Sequence, residues 1–350
     1  MAASILVYGA NGYTGQLVAR EARARGVEVI LAGRNGPEVQ ALADELGFEA
    51  RVFGLDVSST IDACLEGISV VAHCAGPFSR TATPMIDACM RTRVHYLDVT
   101  GEVEVFEAAR ARDEEARTAG ITLLPGGGFD VVPSDCLAMH AAKRIAHPTS
   151  LRLGILVVGQ TSHGTATTMA ENLPRGSAVR KDGKLVKIPA GTRTRQIDFG
   201  RGPRLAMIIP WGDLATAWHS TRIPNIEVYF AVTRGLQVGA RVVGLMPWLF
   251  GNSPVQKMIK RTIDRRPAGP DAAARAAGLS VLTAEVENAA GERAVSRLET
   301  PEGYTLTSQA VVVLASRMAG GEAPIGYQTP GTAFGPDFVL TLPGTRRTDL

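Results

Sequence analysis

Cysteine is scarce in this chain. Its 350 residues include four (Cys64, Cys74, Cys89 and Cys136), none in Cys-x-x-Cys spacing, so neither a zinc site nor a disulfide frame is indicated. The six histidines are scattered, and no pair has the three- or four-residue spacing of a helical metal site. No metal is expected. An excess of one charge is also missing. The 37 basic and 34 acidic residues leave a net charge of +3, too little to argue for nucleic acid or an acidic membrane surface. Long apolar runs are absent as well. The most apolar stretch, Gly239–Gly251 with Met246-Pro247-Trp248-Leu249-Phe250, is too short to span a bilayer and contains Arg241 and Pro247. It reads as a core or dimer-interface helix, with a membrane-dipping lid as the alternative. No charged leader or cleavage site precedes the first apolar segment, so a cytoplasmic protein is expected. None of the six tyrosines is followed four residues later by lysine, which removes the catalytic pair of a short-chain dehydrogenase.

What is present is an ordinary globular composition, 45% hydrophobic and 20% charged, at a length that suggests two domains. Ser4-Ile5-Leu6-Val7-Tyr8 reads as a buried parallel strand. It runs into Gly9-Ala10-Asn11-Gly12-Tyr13-Thr14-Gly15 and then into a helical segment. Strand, glycine turn and helix together form the context of a dinucleotide site. Gly9 allows the sharp turn, Gly12 the approach of a pyrophosphate, and Gly15 close packing of helix on strand. Phosphates would sit at the positive end of that helix, beside Asn11, Tyr13 and Thr14.

Alternating apolar strands and helices follow, giving six strands to residue 124 and a doubly wound α/β Rossmann domain over 1–130. The second strand ends at Gly33-Arg34. An acidic side chain there would bind the ribose hydroxyl of NAD, whereas arginine accepts the 2′-phosphate of NADP. Arg34 favours NADP, against the plainer reading of a solvated loop arginine. Asp56-Val57 stands where a polar–apolar pair can bracket an adenine, although Asp56 could equally be a helix cap. Cys74-Ala75-Gly76-Pro77-Phe78 ends the fourth strand and is placed beside the nicotinamide. Pro125–Asp135, with three consecutive glycines, is either an interdomain connector or a loop contacting nicotinamide or substrate through Phe129, Asp130 and Ser134.

From residue 151 the alternation stops, and grouped strands indicate an α+β domain of mixed or antiparallel sheet over 131–304. Within it, Pro210-Trp211-Gly212-Asp213 and His219-Ser220-Thr221 read as a link between two strands. Trp211 is a candidate substrate contact there. His219 with a nearby carboxylate is a candidate proton donor, as is Asp130, although a loop histidine is more often packed or solvated.

Five motifs in order carry a resemblance: Tyr8–Gly15, Ala32-Gly33-Arg34, Cys74–Phe78, Asp98-Val99-Thr100-Gly101-Glu102, and Gly128–Asp135. Together they resemble the saccharopine dehydrogenase-like oxidoreductases, in the branch that includes the trans-acting enoyl reductases. Weaker likeness continues at Gly164-Thr165-Ala166, which marks Thr165 as a substrate candidate, and near Thr332–Gly335. The resemblance implies an NADP(H)-binding Rossmann domain, a second α+β domain, and C-terminal residues, about 305–350, that return to the first domain. It also implies hydride transfer to a C=N or enoyl C=C bond of a small-molecule or acyl substrate. A homodimer is expected. Two other classes stay open: a non-catalytic NADP-binding sensor, and a membrane-associated reductase of a lipid.

Overall fold

The computed structural model describes residues 4–159, 176–245 and 269–350. These fall into two compact units, one formed by Met1–Val132 with Tyr304–Leu342 and the other by Pro133–Gly303 with Pro343–Leu350.

In the first unit, strands β1 (Ile5–Tyr8), β2 (Val29–Gly33), β3 (Glu49–Val52), β4 (Val70–His73), β5 (His95–Asp98) and β6 (Thr122–Leu124) lie in one parallel sheet. Its order is β6-β5-β4-β1-β2-β3, so strand order reverses between β1 and β4, where doubly wound folds bind ligands. β1 is buried at all four positions, as expected for a strand with parallel neighbours on both edges and cover on both faces. The helix that follows, Tyr13–Ala24, buries Gly15, Val18, Ala19 and Ala22, one stripe at helical spacing. The charged segment between β5 and β6 forms two helices, Val103–Arg110 and Asp113–Ala119.

The sheet has a strand beyond the six expected. Gly326–Tyr327 pairs in parallel with β6, with Gly326 N–H donating to the Ile121 carbonyl at 2.9 Å. Tyr327 N–H donates to Asp113 Oδ1 at 2.7 Å. Two residues carry no readable periodicity, so only the partner's edge specifies them. The helix Gly303–Ala319 belongs to the same unit and buries Leu306, Ala310, Val311, Leu314 and Ala315.

The second unit holds a nine-stranded mixed sheet among the described residues. Pro148–Val158 is its long central strand. It pairs in parallel with Asn225–Ala231 and antiparallel with Leu279–Asn288, which in turn forms a hairpin with Arg293–Pro301. Ser177–Lys181, Lys184–Ile188, Thr194–Asp198 and Pro203–Ile208 complete one side. The last residues depart from the expected return to the first domain. Arg346–Asp349 pairs antiparallel with Arg293–Pro301, so 343–350 belong to the second unit while 304–342 belong to the first.

Candidate cofactor and active site

The glycine turn is closed by main-chain packing. Gly9 has φ +81°, and a Cβ there would lie 2.7 Å from the Ala75 Cβ. A Cβ on Gly15 would overlap the Gly9 carbonyl oxygen and lie 2.8 Å from the Ala10 Cα. The Gly9 and Ala10 N–H groups both donate to the Ala32 carbonyl, at 2.7 and 3.0 Å. Gly12 is the N-cap of the helix Tyr13–Ala24, and no side chain caps it. The positive end of the helix therefore opens at the β1–β4 switch, as a diphosphate requires. The Tyr13 ring packs edge-on against Tyr304, with centroids 5.0 Å apart.

Arg34, Asp56 and Val57 all stand exposed at the ends of β2 and β3, with Val57 at 55%. Beneath them, the Tyr8 hydroxyl donates to the Phe53 carbonyl at 3.2 Å. Burial pushes this phenol up to about 12, with Arg34 lowering it and Asp56 raising it. Asp56 is not a side-chain cap: the helix Ser58–Cys64 has Val57 at its N-cap and no side-chain cap bond. Sequence reasoning missed Glu38. From the first turn of the helix Gly36–Leu46, its carboxylate accepts from Asn11 Nδ2 at 2.8 Å. The Asn11 amide also lies against Gly33, where a Cβ would come within 3.0 Å of Asn11 Oδ1. Nothing in the local pattern marks this contact, because it joins positions 27 residues apart.

The ends of β4, β5 and β6 are stitched together. Asp98 is fully buried; its Oδ1 accepts from the Thr100 and Gly126 N–H groups, each at 2.9 Å, and its Oδ2 from the Tyr96 hydroxyl at 2.7 Å. Burial pushes its carboxyl up to about 6, against the pull of those hydrogen bonds. Glu102 accepts from the Phe78 and Ser79 N–H groups at 2.9 and 3.1 Å. Thr81 Oγ1 donates to the Ala75 carbonyl at 2.6 Å, and the Gly76–Pro77 peptide bond is cis. Burial pushes the Cys74 thiol up to about 12, with Asp98 adding to it, which makes it a poor nucleophile.

At the end of β6, Gly126 has φ +80° and packs against Phe106 and Val131. Phe129 N–H donates to Thr307 Oγ1 at 2.9 Å, tying this loop to the helix Gly303–Ala319. The Asp130 carboxylate lies directly over Gly101, which has no room for a Cβ. Burial raises the Asp130 carboxyl to about 6. Asn11, Gly76, Glu102, Phe129 and Asp130 thus sit at the carboxyl ends of strands of one sheet.

Ser134, Trp211 and His219 belong to the second unit. Ser134 is buried near the start of the helix Val132–Ala142, and the neighbouring Asp135 accepts from Ser220 Oγ at 2.6 Å. The stretch expected as a link between strands is in fact the helix Asp213–Thr221, with Trp211 just before it and His219 in its last turn. The Trp211 ring centroid lies 6.1 Å from that of Phe230. Thr165 and the apolar stretch beyond residue 245 lie outside the described residues. Among the described residues, no group of three or more His, Cys, Asp or Glu is arranged to hold a metal, and no helix is long and apolar enough to cross a membrane.

Residues 5–124 match the family model described as saccharopine dehydrogenase NADP binding domain. A trans-acting enoyl reductase of Mycobacterium ulcerans is 27% identical over 58% of this chain, which spans 53% of that relative. A Mycobacterium tuberculosis protein, provisionally given the same name, is 27% identical over 97% of this chain and 95% of its own length. The human saccharopine dehydrogenase-like oxidoreductase is 26% identical over 40% of the chain and 38% of its own length. Among solved structures, saccharopine dehydrogenase (L-Glu forming) from Saccharomyces cerevisiae superposes with a TM-score of 0.69 at 13% identity, covering 99% of this chain and 100% of that one. At that identity the likeness is one of fold. Residues 5–124 therefore carry the pattern of a saccharopine dehydrogenase NADP-binding domain, and the chain's homologues include proteins named trans-acting enoyl reductase and saccharopine dehydrogenase-like oxidoreductase.

Proposed function

We propose that the chain is an NADPH-dependent reductase that transfers hydride to a C=N or enoyl C=C bond of a small-molecule or acyl substrate. The observation that carries this reading is the glycine turn at the strand-order switch, where neither Gly9 nor Gly15 has space for a side chain and the following helix is uncapped. That cradle suits a diphosphate. Gly9–Gly15 would hold the diphosphate, Asp56-Val57 the adenine, and Cys74–Phe78 the nicotinamide side. The bound dihydronicotinamide supplies the hydride.

Arg34 is the reason to prefer NADPH, since a guanidinium is the natural partner of a 2′-phosphate. Glu38 does not oppose this role in the same way as an acidic residue at position 34 would, because its carboxylate is turned to the Asn11 amide. Arg34→Asp is expected to lower the ratio of NADPH to NADH affinity by about tenfold or more, the scale of a lost charge-assisted contact. Titration with both cofactors measures it.

Asp130 is the candidate proton donor. With its carboxyl at about 6, roughly a tenth of the molecules carry the proton at pH 7, a usable acid close to working pH. His219 is the second candidate. The function is tested by following NADPH oxidation with a panel of enoyl thioesters, imines and oxo-acids. Oxidation with at least one class is expected. Tight NADPH binding with nothing reduced would move the protein to the class of NADP-binding sensors.

A further inference from the structure

We propose that Glu102 is a positioning residue for the nicotinamide end of the cofactor site: its carboxylate, bridging two main-chain amides, fixes the Gly76–Phe78 turn from the end of the neighbouring strand. This rests on the reading that places the nicotinamide beside that turn. The helix Phe78–Thr92 begins after Pro77, which has no side-chain acceptor to offer its first N–H groups, and no side chain caps it at that position. Glu102, past the end of β5 at the N-cap of the helix Val103–Arg110, fills the gap. One carboxylate oxygen takes the Phe78 N–H at 2.9 Å and the other takes the Ser79 N–H at 3.1 Å. A charged acceptor at the positive end of a helix is the strong form of this contact.

Glu102 is itself held. Its own N–H donates to Thr100 Oγ1 at 3.1 Å, and the Thr100 N–H donates to the buried Asp98 carboxylate at 2.9 Å. The same Asp98 oxygen takes the Gly126 N–H, and the Gly127 N–H donates to the Asp98 carbonyl at 2.6 Å. The Asp98–Glu102 segment is therefore a brace that sets the end of β4 against the ends of β5 and β6. At the other end of the turn, Thr81 Oγ1 pins the Ala75 carbonyl. The turn lies between these two fixings. Its position depends on Glu102, whereas the glycine turn after β1 is held by main-chain bonds to Ala32 and within itself from Gly12 to Gly9, and meets the β4 end at Ala75, whose carbonyl Thr81 pins.

That separation makes the inference testable on the whole chain. The variants are Glu102→Ala and the isosteric Glu102→Gln, which keeps one acceptor and loses the other. Two ligands are titrated: NADPH, and 2′-phospho-ADP-ribose, which lacks the nicotinamide. For Glu102→Ala, NADPH should bind about tenfold more weakly, the scale of one lost charge-assisted hydrogen bond. The fluorescence enhancement of bound NADPH should drop, while the nicotinamide-free fragment should bind within about twofold of wild type. Glu102→Gln should fall between the two chains in both readouts and serves as the test if Glu102→Ala does not fold. Equal weakening of NADPH and of the fragment would overturn the proposal, because it would mean a loss of structure throughout the site. Unchanged NADPH binding and fluorescence in both variants would also overturn it. If wild type itself binds NADPH without any change in its fluorescence, the placement of the nicotinamide fails and takes the proposal with it.

Discussion

At the scale of single residues, burial sets the chemistry of this sheet edge. His73, at the end of β4, is 0% exposed and neither ring nitrogen has a hydrogen-bond partner among the described residues. Its neighbours are the rings of Tyr8, Phe78 and Tyr96, at centroid distances of 5.4, 5.3 and 6.1 Å. Burial lowers its basicity, to a pKa of about 3, so the native ring stays neutral. The unfolded chain binds a proton there below about 6.5, whereas the folded chain does not until about 3. The contribution to stability is therefore lost as pH falls between those values, by about 1.4 kcal/mol per pH unit. Asp98 and Asp130, raised to about 6, act with the opposite sign between about 4 and 6, because there the folded chain holds the proton and the unfolded chain does not. Those carboxyls are common to wild type and a His73→Leu variant. Urea melts at pH 6.5 and pH 4.5 should show the difference shifting in favour of the variant at the lower pH. Asp130 gives a second outcome. If it delivers the proton, reductive turnover falls as pH rises through about 6, and Asp130→Asn removes that limb with a rate loss of about 10²-fold or more.

At the scale of elements, what could be read from the chain depended on how each element is stabilised. β1 and its glycine turn were legible because an unbroken apolar run marks a strand covered on both faces, and glycine marks the turn that no side chain fits. Two glycines of that turn, Gly9 and Gly15, are required by main-chain geometry, since neither has room for a Cβ. Ser177–Lys181, Thr194–Asp198 and Arg346–Asp349 were not legible. They are rich in polar and charged residues and take their conformation from neighbouring strands, so little in their own pattern distinguishes them from loops. The braces on the site were hidden too, since the Glu102, Glu38 and Thr307 contacts join positions 23 to 178 residues apart. Leu314 illustrates how a remote element supports the site. It is fully buried in the helix Gly303–Ala319 and meets Gly127, where a Cβ would lie 3.1 Å from it. Leu314→Ala is expected to cost about 2–5 kcal/mol, read from the midpoint of a denaturant melt.

At the scale of the whole molecule, the first unit is discontinuous in sequence. Residues 304–342 complete a dinucleotide-binding domain begun by residues 1–132, adding the strand Gly326–Tyr327 to the edge of β6 and packing a helix against the β6 loop. A fragment ending at residue 132 would leave that edge bare and lose the Thr307 contact, so it should melt less cooperatively than the full chain, as calorimetry would show. The central claim is that the β1–β4 edge binds NADPH. Its most direct test is calorimetric titration of NADPH into the full chain and into Gly15→Val. Because any side chain at position 15 meets the Gly9 carbonyl, saturable binding to wild type and its loss in a folded Gly15→Val chain are expected. No binding to wild type, or equal binding to both chains, would contradict the claim.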